Sequence, residues 1–188
     1  MDVTNAIRTL RSVRQYRDEP IDDAVITRIL EAGRWSGSAK NTQPWRYLLV
    51  KERATLAELA SCGSYASHMR DAACAIVVVS PARARAAFDA GRTIQNMLLA
   101  AWDAGVGSCI VSLPREDAVK RLLGIPDEYQ IQQAIALGYP MPGVVPMVEG
   151  KPLDQVLASL GRKPLSELVY AESWGQTLPP ASTHDSTS

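Results

Sequence analysis

Arg11, Ser12, Arg14 and Arg17, in the stretch "LRSVRQYRDEPI", gather three permanent positive charges and a hydroxyl just where a short helix should end. Guanidinium groups are forked donors that suit phosphate, and the hydroxyl adds a short hydrogen bond. The same residues could equally form a solvated basic loop paired with Asp18 and Glu19. A second group lies in "SGSAKNTQPWRYLLV", where Ser38, Asn41 and Gln43 offer hydroxyl and amide groups that both donate and accept. They suit the edge of a neutral heteroaromatic ring, and suit just as well the capping of the preceding helix and the closing of the turn. A third group, Arg162 and Lys163 in "GRKPLSE", stands before a proline-started helix. By itself it is a charged loop; with the first cluster it would surround a phosphate from two sides of the chain.

Several chemistries lack their residues. There is no Gly-x-x-x-x-Gly-Lys-Ser/Thr loop, and "GVGSC" at Gly105–Cys109 lacks the third glycine of a dinucleotide fingerprint and enters a strand. The chain has 2 histidines, His68 and His184, and no Gly-x-Ser-x-Gly elbow, which argues against a Ser-His-Asp hydrolase. His68 reads as a satisfied structural side chain. Cys62, Cys74 and Cys109 are far apart and without Cys/His ligand spacing, so we expect neither a disulfide framework nor a metal site.

The positioning elements follow from periodicity. Asp2 can cap a helix from Val3 to about Leu10, and Asp22 and Asp23 open a second that ends near Trp35. Ile94, Met97, Leu98, Ala101 and Trp102 make one stripe on a strong helix between Phe88 and Ala104. Leu56–Ala60 and Arg115–Leu123 predict further helices. Strands are predicted at Tyr47–Val50, Cys74–Ser80, Ser108–Val111 and Gln133–Leu137, the second buried on both faces because "CAIVVVS" has no polar alternation. Alternating helices and strands predict a sheet with helices packed on it. The proline-rich 139–152 stretch should run over the surface, either of its own subunit or of a second one.

At 188 residues the chain suits one domain, taken as 1–175, with 176–188 expected as a disordered Pro/Ser/Thr-rich tail. A formal net charge of +0 gives no sign of a nucleic-acid surface. Apolar runs are too short for a membrane span, and the cysteine usage suggests the cytoplasm.

Taken in order, "RSVRQYRDEPI", "SGSAKNTQPWRYLLV", "DAGRTIQNMLLAAWDAGVGSCIV", "QQAIALGYP" and "GRKPLSELVYAESW" resemble the nitroreductase family of flavin-dependent oxidoreductases over nearly the whole chain. The resemblance implies an α+β fold in three layers, a mostly antiparallel central sheet flanked by helices. It also implies an intertwined homodimer with one FMN per site at the subunit interface, and NAD(P)H as co-substrate. It assigns Arg11, Ser12 and Arg14 to the phosphate and ribityl side of FMN, with Arg14 nearest the N1/C2-oxygen edge. Ser38, Asn41 and Gln43 match the family's ring-binding turn, and Cys109, Ile110, Val111 and Ser112 would run beside the ring, where a backbone N–H can reach N5. Arg162 and Lys163 would complete a phosphate clamp. Two departures stand out: Leu10 replaces a second arginine, and Gly37 replaces the turn's usual proline, which should loosen it. The implied activity is hydride transfer from NAD(P)H through FMN to a small planar acceptor by a ping-pong route. A dedicated biosynthetic flavin reaction, or FMN binding without catalysis, are the alternatives.

Overall fold

The all-apolar run that begins at Cys74 forms strand β2 (Cys74–Pro81), the centre of the protein in a computed structural model that describes residues 1–83, 86–145 and 153–177. Around it the chain supplies helix α1 (Val3–Thr9), α2 (Asp23–Arg34), strand β1 (Arg46–Val50), α3 (Arg53–Ser61), α4 (Ala86–Asp103), β3 (Gly107–Val111), α5 (Glu116–Leu123) and β4 (Tyr129–Gly138). The four strands lie in the order β1-β2-β4-β3, and every neighbouring pair is antiparallel. This is the α+β architecture expected.

Side chains alternate across a strand, so a strand buried on both faces must feed two cores. β2 does so: Ala75, Val77 and Val79 join one cluster, while Cys74, Ile76 and Val78 join the other. β4 divides likewise, with Ala134 and Ala136 on the first face and Ile135 and Leu137 on the second. Leu56 and Leu59 of α3 and Val119 of α5 cover the first face. Ile26 and Ile29 of α2, with Ile94, Met97, Leu98 and Ala101 of α4, cover the second, together with Trp45. Helix, sheet and helix are therefore three layers held by burial on both sides.

Local chemistry sets the ends. The Asp2 carboxylate accepts from the Asn5 amide at 3.0 Å and Asp22 from the Ala24 amide at 2.9 Å, both N-caps anticipated from sequence. Gly124, at φ 64°, ends α5 in the left-handed conformation that disfavours a Cβ. α1 is pinned to α4 by the Trp102 indole N–H, which donates to Thr9 Oγ1 at 2.8 Å.

Two expectations are corrected. β4 begins at Tyr129, four residues before Gln133. Gln130, Gln132 and Gln133 obscure the strand in the sequence, yet its first half is only partly covered and its backbone continues the β2 ladder past a bulge at Val78/Val79. A short helix, α6 (Leu153–Ala158), was not anticipated.

The chain divides into two compact units, 1–150 and 151–188. In the second, a 3-10 turn at Leu165–Glu167 follows Pro164, Tyr170 pairs with Thr177 in an isolated antiparallel bridge, and the Tyr170 and Trp174 rings lie 4.5 Å apart. The expected tail beyond Thr177, and the 146–152 part of the proline-rich stretch, lie outside the described residues. Among the described residues no helix is long and apolar enough to cross a membrane.

Candidate functional site

Beyond α1 the chain does not continue as helix, and it is held in place by the sheet edge. Ser12 bridges Ser108 in parallel, the Val13 amide donates to the Ser108 carbonyl at 2.9 Å, and the Arg17 amide donates to the Tyr139 carbonyl at 2.8 Å. Two glycines make room. Gly107 and Gly138 are partners in the β3–β4 ladder; a Cβ on Gly107 would sit 2.8 Å from Val13 Cβ, and one on Gly138 would sit 2.7 Å from Tyr16 Cδ1. With Val13 and Tyr16 locked into the core, the intervening Arg14 is turned outwards and exposed.

Arg14 lines a cavity of about 310 Å³ whose other walls include Cys109, Ile110, Val111 and Ser112 at the end of β3, and Ser64, Tyr65 and His68 from the segment before β2. These walls meet closely, since a Cβ on Gly63 would lie 2.7 Å from the Ser112 carbonyl oxygen. The cavity is of ligand size and mixes apolar wall with one permanent cation. Burial pushes the Cys109 thiol up, with Arg14 acting against it, so the thiol stays protonated and is no nucleophile at neutral pH.

His68 corrects a sequence expectation. It is 8% exposed, and its Nε2 has no hydrogen-bond partner among the described residues. It lines both this cavity and an adjoining one of about 760 Å³ that also touches Gln15, Arg70 and Asp71. Burial, then the positive charge of Arg14, lower its pKa below the ordinary 6.5, so the ring is neutral at pH 7. Its sequence signal was slight: a lone histidine in "SYASHMR".

The other predicted residues are placed as follows. Arg11 Nη1 donates to the Arg8 and Leu10 carbonyls at 2.9 and 2.6 Å, at the C-terminal end of α1. Leu10, where a second arginine was expected, packs against both cores. Arg17 takes the structural alternative, pairing with Glu19 at 2.8 Å over the Tyr139 ring. In the turn, Ser38 Oγ accepts from the Gln43 amide at 2.8 Å, while the side chains of Asn41 and Gln43 remain exposed. Lys40, Asn41 and Gln43 all have positive φ, at 53°, 53° and 45°, a backbone strain that clusters at ligand-binding segments. None of the three predicted turn residues lines the Arg14 cavity. Gly37 does not simply loosen the turn, for Arg92 Nη2 would lie 2.9 Å from its Cβ and fills the space a larger residue would need. In the second unit Arg162 and Lys163 are exposed, and Lys163 Nζ lies 3.6 Å from Glu167 Oε2.

The family model for nitroreductases matches residues 7–64 and 52–139. The chain belongs to the nitroreductase family. A candidate NADH dehydrogenase/NAD(P)H nitroreductase of Archaeoglobus fulgidus is 35% identical to this nitroreductase-family chain over 144 residues, covering 71% of it and 83% of the relative. The 5,6-dimethylbenzimidazole synthase of Rhodobacter capsulatus is 27% identical over 172 residues, covering 73% and 83%. Among solved structures, a candidate nitroreductase of Desulfovibrio desulfuricans in complex with FMN is 30% identical, with a TM-score of 0.74 over 93% of this chain and 98% of that one. The family membership makes this protein an oxidoreductase.

Proposed function

We propose that the protein is an FMN-dependent NAD(P)H oxidoreductase acting on a small planar acceptor such as a nitroaromatic, quinone, enone or flavin. The observation that carries this reading is the convergence of Arg14 and the Cys109–Ser112 wall on one cavity also lined by His68, whose Nε2 has no partner among the described residues. That donor set fits a flavin: a cation for the electron-rich N1/C2-oxygen edge, a β-strand for the ring, and polar capacity left over. When bound, FMN would supply two-electron redox chemistry between a nicotinamide and the acceptor, by a ping-pong sequence.

This chain's residues do the rest. Arg14 would hold the N1/C2-oxygen edge and would stabilise negative charge there. The Cys109–Ser112 segment, fixed by its ladder to β4, offers backbone N–H groups along the ring. Arg11 and Ser12 hold the phosphate and ribityl side, with Arg162 and Lys163 closing a clamp. Ser38, Asn41 and Gln43 serve the ring of the partner subunit in a homodimer, which agrees with their absence from the walls of the Arg14 cavity of their own chain. Exposed apolar side chains support the dimer: Val3 and Ile7 lie four apart on α1 at 71% and 59% exposure.

The second reading, a dedicated biosynthetic flavin reaction, is favoured by the likeness to 5,6-dimethylbenzimidazole synthase. One spectrum separates the readings. Purified protein mixed with FMN should be yellow after gel filtration and should bleach anaerobically on adding NADH or NADPH, then recover with a quinone. Yellow protein that ignores both nicotinamides favours the second reading or a binding role; protein that stays colourless removes flavin from the account.

A further inference from the structure

His68 is the buried group that the flavin reading leaves unexplained. Its Nε2 is enclosed and without a partner among the described residues, an arrangement that costs stability unless something in the cavity uses it. Tyr16 cannot satisfy it, because the rings are 6.5 Å apart between centroids and the Tyr16 hydroxyl donates to the Val13 carbonyl at 2.6 Å.

We propose that His68 is the proton store of the site: its Nε2 lone pair takes up one proton when reduction places negative charge in the Arg14 cavity, and gives that proton up in the acceptor half-reaction. The inference rests on the flavin reading above. Hydride transfer from the nicotinamide carries two electrons and one proton into the site and adds one unit of negative charge there. One solvent proton then forms an N–H bond at Nε2. The planar acceptor leaves with the hydride and this second proton, completing a two-electron, two-proton reduction and returning His68 to its neutral form.

The surroundings keep His68 neutral until that charge arrives. Arg14 and Tyr16 face it from the N-terminal segment, Cys109 from β3, and Tyr65, Arg70 and Asp71 from its own segment. Tyr16 and Cys109 are buried with their ionisation pushed up, so neither carries charge at neutral pH. Burial and Arg14 oppose protonation, while the backbone of Tyr65 favours it more weakly. Arg14 alone would stabilise the incoming charge without moving a proton; the imidazole is what couples electron uptake to proton uptake.

The test uses the FMN-loaded protein carrying His184→Gln, which leaves His68 as the one imidazole in the chain. Its ring signal is followed by NMR against pH, oxidised and then anaerobically reduced with dithionite. The expected result is a pKa that rises by about 1–3 units on reduction, the effect of an opposite charge brought close. An unmoved pKa in yellow, reducible protein overturns the inference alone. Protein that takes up no FMN overturns the flavin reading and this inference with it. A second measurement uses His68→Asn: between the two His68 pKa values the midpoint potential of the protein with His68 should fall more steeply with pH than that of the variant. The difference should be about 30 mV per pH unit, the two-electron equivalent of one tenfold change in proton activity. Parallel lines would overturn it.

Discussion

Gly107 and Gly138 face each other across the β3–β4 ladder, and both are filled by one segment, Gly107 by Val13 and Gly138 by Tyr16. The missing Cβ atoms seat the segment that carries Arg14 between Val13 and Tyr16. Replacing Gly138 by Ala would drive a methyl to within 2.7–2.9 Å of Tyr16 Cδ1, Cγ and Cβ. Overpacking of this kind costs about 1–3 kcal/mol, and here it also displaces the Arg14 segment. Gly138→Ala should therefore lower the urea midpoint and weaken FMN retention together, whereas Gly91→Ala, with open space at its Cβ, should do neither.

Thr9 is a buried acceptor for Trp102, and its own hydroxyl donates to the Asn5 carbonyl at 2.6 Å. Thr9→Val keeps the shape and strands the indole N–H, which should cost about 1–3 kcal/mol. The loss is expected in chemical denaturation. A matched stability would mean that α1 contributes nothing to the fold through this bond.

The lowered pKa of His68 has a stability consequence. The folded chain binds fewer protons than the unfolded chain, whose histidine titrates near the ordinary 6.5. The contribution is complete above that pH and is lost as pH falls from about 6.5 through the folded value. Denaturation midpoints of the protein without cofactor should therefore decline across this window, and those of His68→Gln should decline less. Equal slopes would show that His68 does not titrate differently on folding.

We propose Arg11 and Arg162 for FMN binding, not for the hydride step. The double variant Arg11→Ala, Arg162→Ala should weaken FMN binding by more than about tenfold, since a hydrogen bond to a charged group contributes about 1.5–3 kcal/mol. Its maximal rate at saturating FMN should change far less. Full retention of FMN through gel filtration by the double variant would dismiss the phosphate clamp.

Val3 and Ile7 project from α1 into solvent in the single chain, and Trp35 and Phe88 are 75% and 66% exposed. A solution mass of twice 20.4 kDa is expected, and Val3→Glu with Ile7→Glu should lower it along with FMN affinity. A stable monomer saturated with FMN would contradict a site shared between subunits.

Much of the architecture was legible because it rests on local pattern. The unbroken apolar run of β2, the stripe from Ile94 to Trp102 and the caps at Asp2 and Asp22 each follow from residues a few positions apart, whose covalent spacing fixes the face they share. The five motifs, in order, were enough for the family. The start of β4 was hidden because its glutamines look like loop; only the pairing of Tyr129, Gln130 and Ile131 with Pro81, Ser80 and Val79 of β2 makes this stretch strand.

The site depended on contacts far apart in the chain. That Val13 fills Gly107 and Tyr16 fills Gly138, that Gly63 lets the Tyr65–His68 segment close on Ser112, and that Nε2 of His68 is left without a partner among the described residues are results of packing. By itself the sequence determined which elements form and which donors are available, since propensity and periodicity are local. Only the tertiary structure decided which of those donors share a cavity, because burial and shared space are set by residues that sequence order keeps apart.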